Sequence, residues 1–216
     1  MPELDQSEIR EYRGVRLSSI QDFPQMAIHG PQSIDLETYR LRLTGAVENP
    51  KTYRYTEVLN RFQPHEKVVK LVCGVGWEMT ILWQGILASD LITASDPLPT
   101  ASTVIFHAHD GYTTALPRHY IAEKEIMIAH KMNGITIPAQ RGFPLILVAE
   151  GKVGYKWIRW LTEIELSDNA DYLGYWESQG YSNAAEVEQS KLASTKRASE
   201  RSRTFDQRFT KPLLYH

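Results

Sequence analysis

Apolar and polar residues alternate over short distances along most of this chain. In residues 38–46 (TYRLRLTGA), Tyr39, Leu41 and Leu43 fall on one face, the period-two signature of a half-buried strand. Asn49-Pro50 marks a turn, and the stretch from Thr56 to Leu59 predicts a short helix that Pro64 ends. Residues 67–73 (KVVKLVC) predict a strand running into Cys73, followed by a glycine-containing loop from Gly74 to Gly76. Residues 81–93 are apolar at helical spacing through their second half and predict a short helix. Strands are expected at 103–107, 145–148 and 158–166, with a turn at Asn133-Gly134 and a glycine-punctuated basic loop over 151–157. Residues 1–34 read as irregular, broken by Pro24, Gly30 and Pro31. Short strands with sparse helices and no internal repeat predict an α+β, mostly β mixed fold in a single domain, not a doubly wound sheet.

The composition narrows the class without naming it. A chain of 216 residues, 42% hydrophobic and 23% charged, suits one large domain with a well-buried core. The division expected is an N-terminal arm over 1–15, the main domain over 16–183, and a polar basic tail over 184–216. From Lys191 onward the tail sets seven Lys or Arg against Glu200 and Asp206, the pattern of a solvated arm or subunit-contact extension. A formal net charge of −2 gives no global field to recruit nucleic acid or an anionic membrane. No window approaches the roughly 18 apolar residues of a membrane span. The opening MPELDQSEIREYRG lacks an apolar signal core and a twin-arginine pair, so the expectation is a soluble, cytoplasmic protein.

Chemistry is concentrated in a few places. Cys73 is the lone cysteine, which excludes an internal disulfide. A free cysteine often behaves as a small buried hydrophobe. Here, though, it ends an apolar strand and opens onto Gly-Val-Gly, where backbone amides approach an anion or metal-oxo group closely. Its thiolate would be a soft ligand for a transition metal, or the nucleophile of a thiol hydrolase working with His107 or His109. His107 and His109 are two apart and, with Asp110, are candidates for a metal site or a pocket lining. There is no H-E-x-x-H zinc motif, no P-loop and no G-x-G-x-x-G. In the basic loop, Gly151 and Gly154 free the backbone while Lys152, Lys156 and Arg159 can neutralise a phosphate, unless the loop is a surface hairpin with solvated lysines. Tyr181, between Gly180 and Ser182, can donate to a bound oxyanion or sit on a surface loop.

Five blocks in series carry a family resemblance: 35–50 (DLETYRLRLTGAVENP), 69–84 (VKLVCGVGWEMTILWQ), 104–117 (VIFHAHDGYTTALP), 131–150 (KMNGITIPAQRGFPLILVAE) and 151–166 (GKVGYKWIRWLTEIEL). From about Arg16 to Asn183 the chain resembles the oxidoreductase molybdopterin-binding family, the core of sulfite oxidase and of a methionine sulfoxide reductase catalytic subunit. The resemblance implies a sulfite-oxidase-type fold that binds one molybdenum held by one pterin dithiolene and by a strand-end cysteine, here Cys73. It further implies cofactor contacts at His107 and Ala108, at Arg141, and along Lys156, Trp157, Ile158 and Arg159, with His29 approaching from upstream. Segment 172–183 resembles the stretch that brings a tyrosine, here Tyr181, to the substrate pocket, and His107, His109 and Asp110 are candidates for substrate or proton handling. The implied activity is oxygen-atom transfer on a small substrate, with electrons exchanged with an external donor or acceptor protein; the alternative is a non-catalytic pterin-binding protein of the same fold. Three departures stand out. Met26 and Glu78 fall where sulfite oxidases carry arginines, and Val75 falls where the reductases carry glutamate.

Overall fold

A computed structural model describes residues 8–25, 27–74 and 76–188. Met26, Val75 and most of the basic tail lie outside the described residues. Two five-stranded sheets share one core.

The first sheet is built around a long hairpin. Strand β5 is His65–Val72 and β6 is Glu78–Leu87; they pair antiparallel over the whole length of β5, from His65 opposite Gly85 to Val72 opposite Glu78. Strand β9 (Met127–Met132) continues the sheet beside β6, and both β10 (Ile135–Thr136) and β11 (Ile146–Val148) pair with β9. The Asn133-Gly134 turn joins β9 to β10 as a two-residue hairpin, with both residues at positive φ (47° and 81°). Asn133 is fully buried, and its side chain ties the turn to Leu82 N–H, Ser18 O and Glu8.

The second sheet has the order β4 (Lys51–Tyr53), β3 (Leu41–Gly45), β12 (Leu161–Ser167), β7 (Thr103–Ala108), β8 (Thr113–Pro117). β3 and β12 are parallel while their other neighbours are antiparallel, so the sheet is mixed. The alternation in β3 works as expected: Leu41 and Leu43 are buried, while Arg42 and Thr44 turn outward to the Glu163 carboxylate on β12. Tyr39 OH donates to Leu161 O at 2.5 Å, closing the seam from inside. Phe106, Leu43 and Ile164 from this sheet pack with Ile81, Trp83 and Ile128 from the other.

The helices are short: α1 (Tyr55–Arg61), α2 (Ala88–Thr93) and α3 (Arg118–Glu123). The helix expected over 81–93 is therefore corrected, because only its last six residues are helical and the first seven belong to β6. Ile81, Leu82, Trp83 and Ile86 are all buried, since β6 is a central strand covered on both faces. A strand buried on both faces reads as a continuous apolar run, which periodicity cannot separate from a helix. The irregular N-terminal stretch also holds a small hairpin, Glu11–Tyr12 against Val15–Arg16. The strand expected over 158–166 starts later, at Leu161, after Trp160 takes a left-handed φ of 51°. The fold is α+β, mostly β, as the patterning predicts.

Candidate active site

Cys73 is the first residue past β5, where the β5–β6 ladder opens into a tight turn. Its N–H donates to Trp77 O at 2.9 Å, and its carbonyl accepts from Gly76 N–H at 3.1 Å. Gly76 sits at φ 100°, which a residue with a Cβ rarely adopts. The thiol is free and partly exposed at the rim of this turn.

The basic loop packs directly beside it. Val72 forms an isolated parallel bridge with Val153, and Gly154 lies against Val72 O and Cys73 Cα. The two elements that the sequence marks for chemistry are thus neighbours in space. The three cations of that loop, however, do different things. Lys156 is completely buried, and its ammonium donates to Ala115 O (3.1 Å), to Asn183 Oδ1 (2.9 Å) and to the Glu177 carboxylate, itself fully buried. A lysine has three N–H donors, so none is left for a phosphate. Lys152 donates to Ala184 O at 2.8 Å and pairs with Glu186, its ammonium lying over the Tyr120 ring. The solvated-lysine reading of this loop fails for both. They are struts that hold residues 177–186 against the loop.

Arg159 is the cation of this loop with no carboxylate partner among the described residues. Its guanidinium stacks over Phe23 at 4.9 Å, and Nη2 donates to Pro24 O at 3.3 Å. Nη1 is sealed from solvent with no hydrogen-bond partner, although the side chain as a whole keeps some exposure. Burial pulls its pKa down to about 10; the neighbouring Arg141 adds to the drop and Cys73 opposes it. Arg141 reaches only a neutral carbonyl, Gln21 O at 3.1 Å, and burial lowers its pKa as well. The two arginines approach because Gly142, at φ 124°, has no Cβ: one built there would stand 2.8 Å from Arg159 Cβ. Among the described residues neither arginine has a carboxylate partner. Uncompensated buried charge is costly, so a pair of this kind could hold an anionic group.

The remaining candidates distribute unevenly. Trp157 and Ile158 are core side chains; Trp157 Nε1 donates to Lys152 O at 3.0 Å, and Ile158 O accepts from Leu147 N–H. Ala108 closes the turn after β7, donating to Tyr112 O and accepting from Gly111 N–H. Asp110 caps that turn through Tyr112 N–H, and its carbonyl meets His29 Nδ1 at 2.9 Å, so the upstream histidine is joined to this loop. His107 and His109 do not converge. His107 points away from the core and pairs with Glu165 at 2.8 Å, while His109 lies beyond the end of β7 with an exposed ring. Among the described residues no cluster of three His, Cys, Asp or Glu side chains could hold a metal, and no histidine bonds Cys73. A protein-only metal site and a Cys–His hydrolase dyad are therefore both unsupported. Tyr181 is exposed and stacked between Tyr155 and Trp176, its hydroxyl unpartnered among the described residues.

Sequence reasoning missed Phe23, Pro24 and Gln21, which hold the two arginines, and Glu177, which removes Lys156 from the site. Pro24 reads as a chain breaker, and Glu177 sits in an aromatic stretch with no periodic signal.

Residues 28–176 match the family described as "Oxidoreductase molybdopterin binding domain". The chain is 29% identical over 152 residues to an uncharacterised oxidoreductase, YuiH, of Bacillus subtilis, covering 70% of this chain and 76% of that protein. It is 25% identical over 178 residues to the mitochondrial sulfite oxidase of Rattus norvegicus, covering 69% of this chain but only 32% of the enzyme. Among solved structures, the sulfane dehydrogenase SoxCD of Paracoccus pantotrophus superposes with a TM-score of 0.62 at 20% identity, over 66% of this chain and 41% of that one. That likeness bears on the fold. No helix among the described residues is long and apolar enough to cross a membrane. With a family match over residues 28–176, most of its length, the chain belongs to the molybdopterin-binding oxidoreductase family.

Proposed function

We propose that this chain is a molybdenum-dependent oxidoreductase in which the Cys73 thiolate ligates the metal together with one pterin dithiolene. The observation that carries the reading is the Arg159 guanidinium: sealed at Nη1, without a carboxylate partner among the described residues, and close enough to Cys73 for their charges to interact. The donor set fits the group. A lone thiolate with no protein co-ligands suits a metal whose other ligands arrive with the cofactor. Bound there, molybdenum–molybdopterin supplies oxygen-atom and electron transfer, for which an external protein is the electron donor or acceptor.

The chain's own residues do the rest. Arg159 and Arg141 hold the anionic end of the pterin, with the Trp157–Ile158 backbone and Ala108 alongside. Phe23, edge-on to Trp77 and Trp83, excludes water from beneath Arg159, which strengthens its field. His29, fixed by the Asp110 carbonyl, closes the upstream side. The free hydroxyl of Tyr181 and the exposed ring of His109 are the groups available to a small substrate; Lys156 and His107 act at a distance through the partners they hold. The test is metal and pterin content of protein from a molybdopterin-competent host. Near-stoichiometric molybdenum that Cys73→Ser abolishes, with the circular dichroism unchanged, is the expected result. Loaded protein whose Cys73 alkylates as fast as a free thiol would remove the ligand from the proposal.

A further inference from the structure

An open cavity of about 480 Å³ lies between the N-terminal stretch and the start of β6, and Cys73, Arg141 and Arg159 take no part in its lining. That volume falls in the range of small-molecule clefts. The walls are fixed by hydrogen bonds. Ser18 N–H donates to Thr80 O at 2.8 Å, and its hydroxyl oxygen accepts from Thr80 N–H at 3.0 Å. Leu17 N–H donates to Arg10 O at 2.9 Å, and Ile9 N–H to Asn133 O at 2.9 Å, so the stretch is tied to the turn after β9. A site held this firmly before its ligand arrives loses little entropy on binding.

The charges that line the cavity do not satisfy one another. Arg10 stands 3.6 Å from Glu8 Oε2, but that carboxylate already accepts from Ile20 N–H, Asn133 and Ser19, and the Arg10 side chain stays 50% exposed. Arg16 has Glu11 opposite it in the hairpin register, yet among the described residues it forms no ion pair. Asp22 is exposed and forms none either, although both arginines share the cavity with it. Glu78, also in the lining, is engaged by Lys70 at 2.8 Å. Between these charges lies an apolar bed of Trp77, Leu17 and Met79. Two cations and one anion that decline to pair across such a bed match a ligand carrying both signs of charge. Its carboxylate would suit the guanidinium forks, its ammonium the aspartate, and its apolar body the indole.

We propose that this cavity binds a small zwitterion of amino-acid type with an apolar side chain, its carboxylate on Arg10 and Arg16 and its ammonium on Asp22. The inference stands apart from the cofactor reading. It is tested by calorimetric titration of the full chain with three probes: L-phenylalanine, 3-phenylpropionate, which lacks the ammonium, and phenethylamine, which lacks the carboxylate. Phenylalanine should bind tightest, each truncated probe being weaker by about tenfold for one lost charge-assisted contact. Arg10→Gln/Arg16→Gln should weaken phenylalanine and 3-phenylpropionate alike. Asp22→Asn should bring phenylalanine down to the level of 3-phenylpropionate without weakening the latter. All three substituted side chains are exposed, so these variants keep the fold. The proposal is overturned if phenylalanine fails to bind by roughly 20 mM, beyond the millimolar affinity of a minimal site. It is equally overturned if 3-phenylpropionate or phenethylamine binds as tightly as phenylalanine, or if binding survives the double arginine variant. Molybdenum content, measured on the same samples, keeps the two readings separate: metal-free wild type that binds phenylalanine sinks the cofactor reading alone, whereas a double variant that loses metal together with phenylalanine gives the cavity to the cofactor and overturns this proposal.

Discussion

Replacing Arg159 by methionine separates a functional cation from a structural one by the sign of its effect on stability. In the cofactor-free protein the charged guanidinium is held below its ordinary 12.5, at about 10, chiefly by burial. At 1.36 kcal/mol per unit, that depression penalises the charged form by about 3 kcal/mol. Stacking on Phe23 returns about 1 kcal/mol, and the long hydrogen bond to Pro24 O about 1 kcal/mol. Methionine keeps an apolar stem of similar reach and abandons the charge. Arg159→Met should therefore raise the stability of the apoprotein by about 1 kcal/mol, or a Tm gain of roughly 2–4 °C for a chain of this size. The same change should cost the loaded protein at least about tenfold in cofactor retention, since a charge-assisted contact to an anion is lost. Urea denaturation of protein made in a host lacking molybdopterin gives the first quantity, and pterin content after purification from a competent host gives the second. The reasoning is refuted if the apoprotein loses more than about 1 kcal/mol while the loaded protein keeps its pterin.

Glu177→Gln leaves the buried Lys156 ammonium without its anion and should cost about 3–5 kcal/mol in denaturant unfolding; the double variant Lys156→Met/Glu177→Leu should recover most of that, and a single-variant cost below about 1 kcal/mol would mean the pair holds nothing. Burial lowers the His130 imidazole to about 4, with Lys131 adding to the shift, so the unfolded chain takes up a proton near pH 6.5 while the folded chain stays neutral. Stability is thus flat above that pH and falls as pH drops from 6.5 toward 4, by on the order of 1 kcal/mol once solvent screening of a half-buried ring is discounted; urea midpoints for wild type and His130→Gln across this window should differ in slope, and equal slopes would contradict the assignment. Gly85→Ala places a Cβ 2.1 Å from Ile128 O and 2.6 Å from Ala129 Cα, backbone atoms that cannot swing aside. It should cost about 3 kcal/mol or more, and a variant melting within a few degrees of wild type would show that the close approach of β6 to β9 at Gly85 tolerates a methyl group.

Part of the fold was legible because strands such as β3 and β12 bury one face only. β3 and β12 alternate visibly, and Asn133-Gly134 is the sequence that a two-residue hairpin demands. β6 was not legible, since burial on both faces erases the alternation. At the site the positions were legible but the division of labour was not. Residue type and spacing place Lys152, Lys156 and Arg159 on one loop, yet they cannot reveal that Glu177 and Glu186 return from further along the chain to pair with the two lysines. Likewise, His107 and His109 share a face only if the strand continues through both, and β7 stops between them at Ala108. The N-terminal carbonyls that receive the arginines carry no side-chain signature at all.

The choice of residue at each buried cation follows from how far its charge must survive. Lys156 lies against a carboxylate that favours its charged form, so burial and partner oppose one another in a closed pair. Among the described residues Arg159 has no such partner, and its charge must persist against burial. From an ordinary value of 12.5 the drop to about 10 still leaves it protonated at neutral pH. A lysine starts roughly two units lower, near 10.4, so the same depression would leave it titrating close to neutrality. At this depth of burial a guanidinium keeps a wider margin of charge than an ammonium, which is what the proposed anion site asks of it. The Phe23 ring beneath the guanidinium offsets part of that burial cost with no carboxylate partner among the described residues.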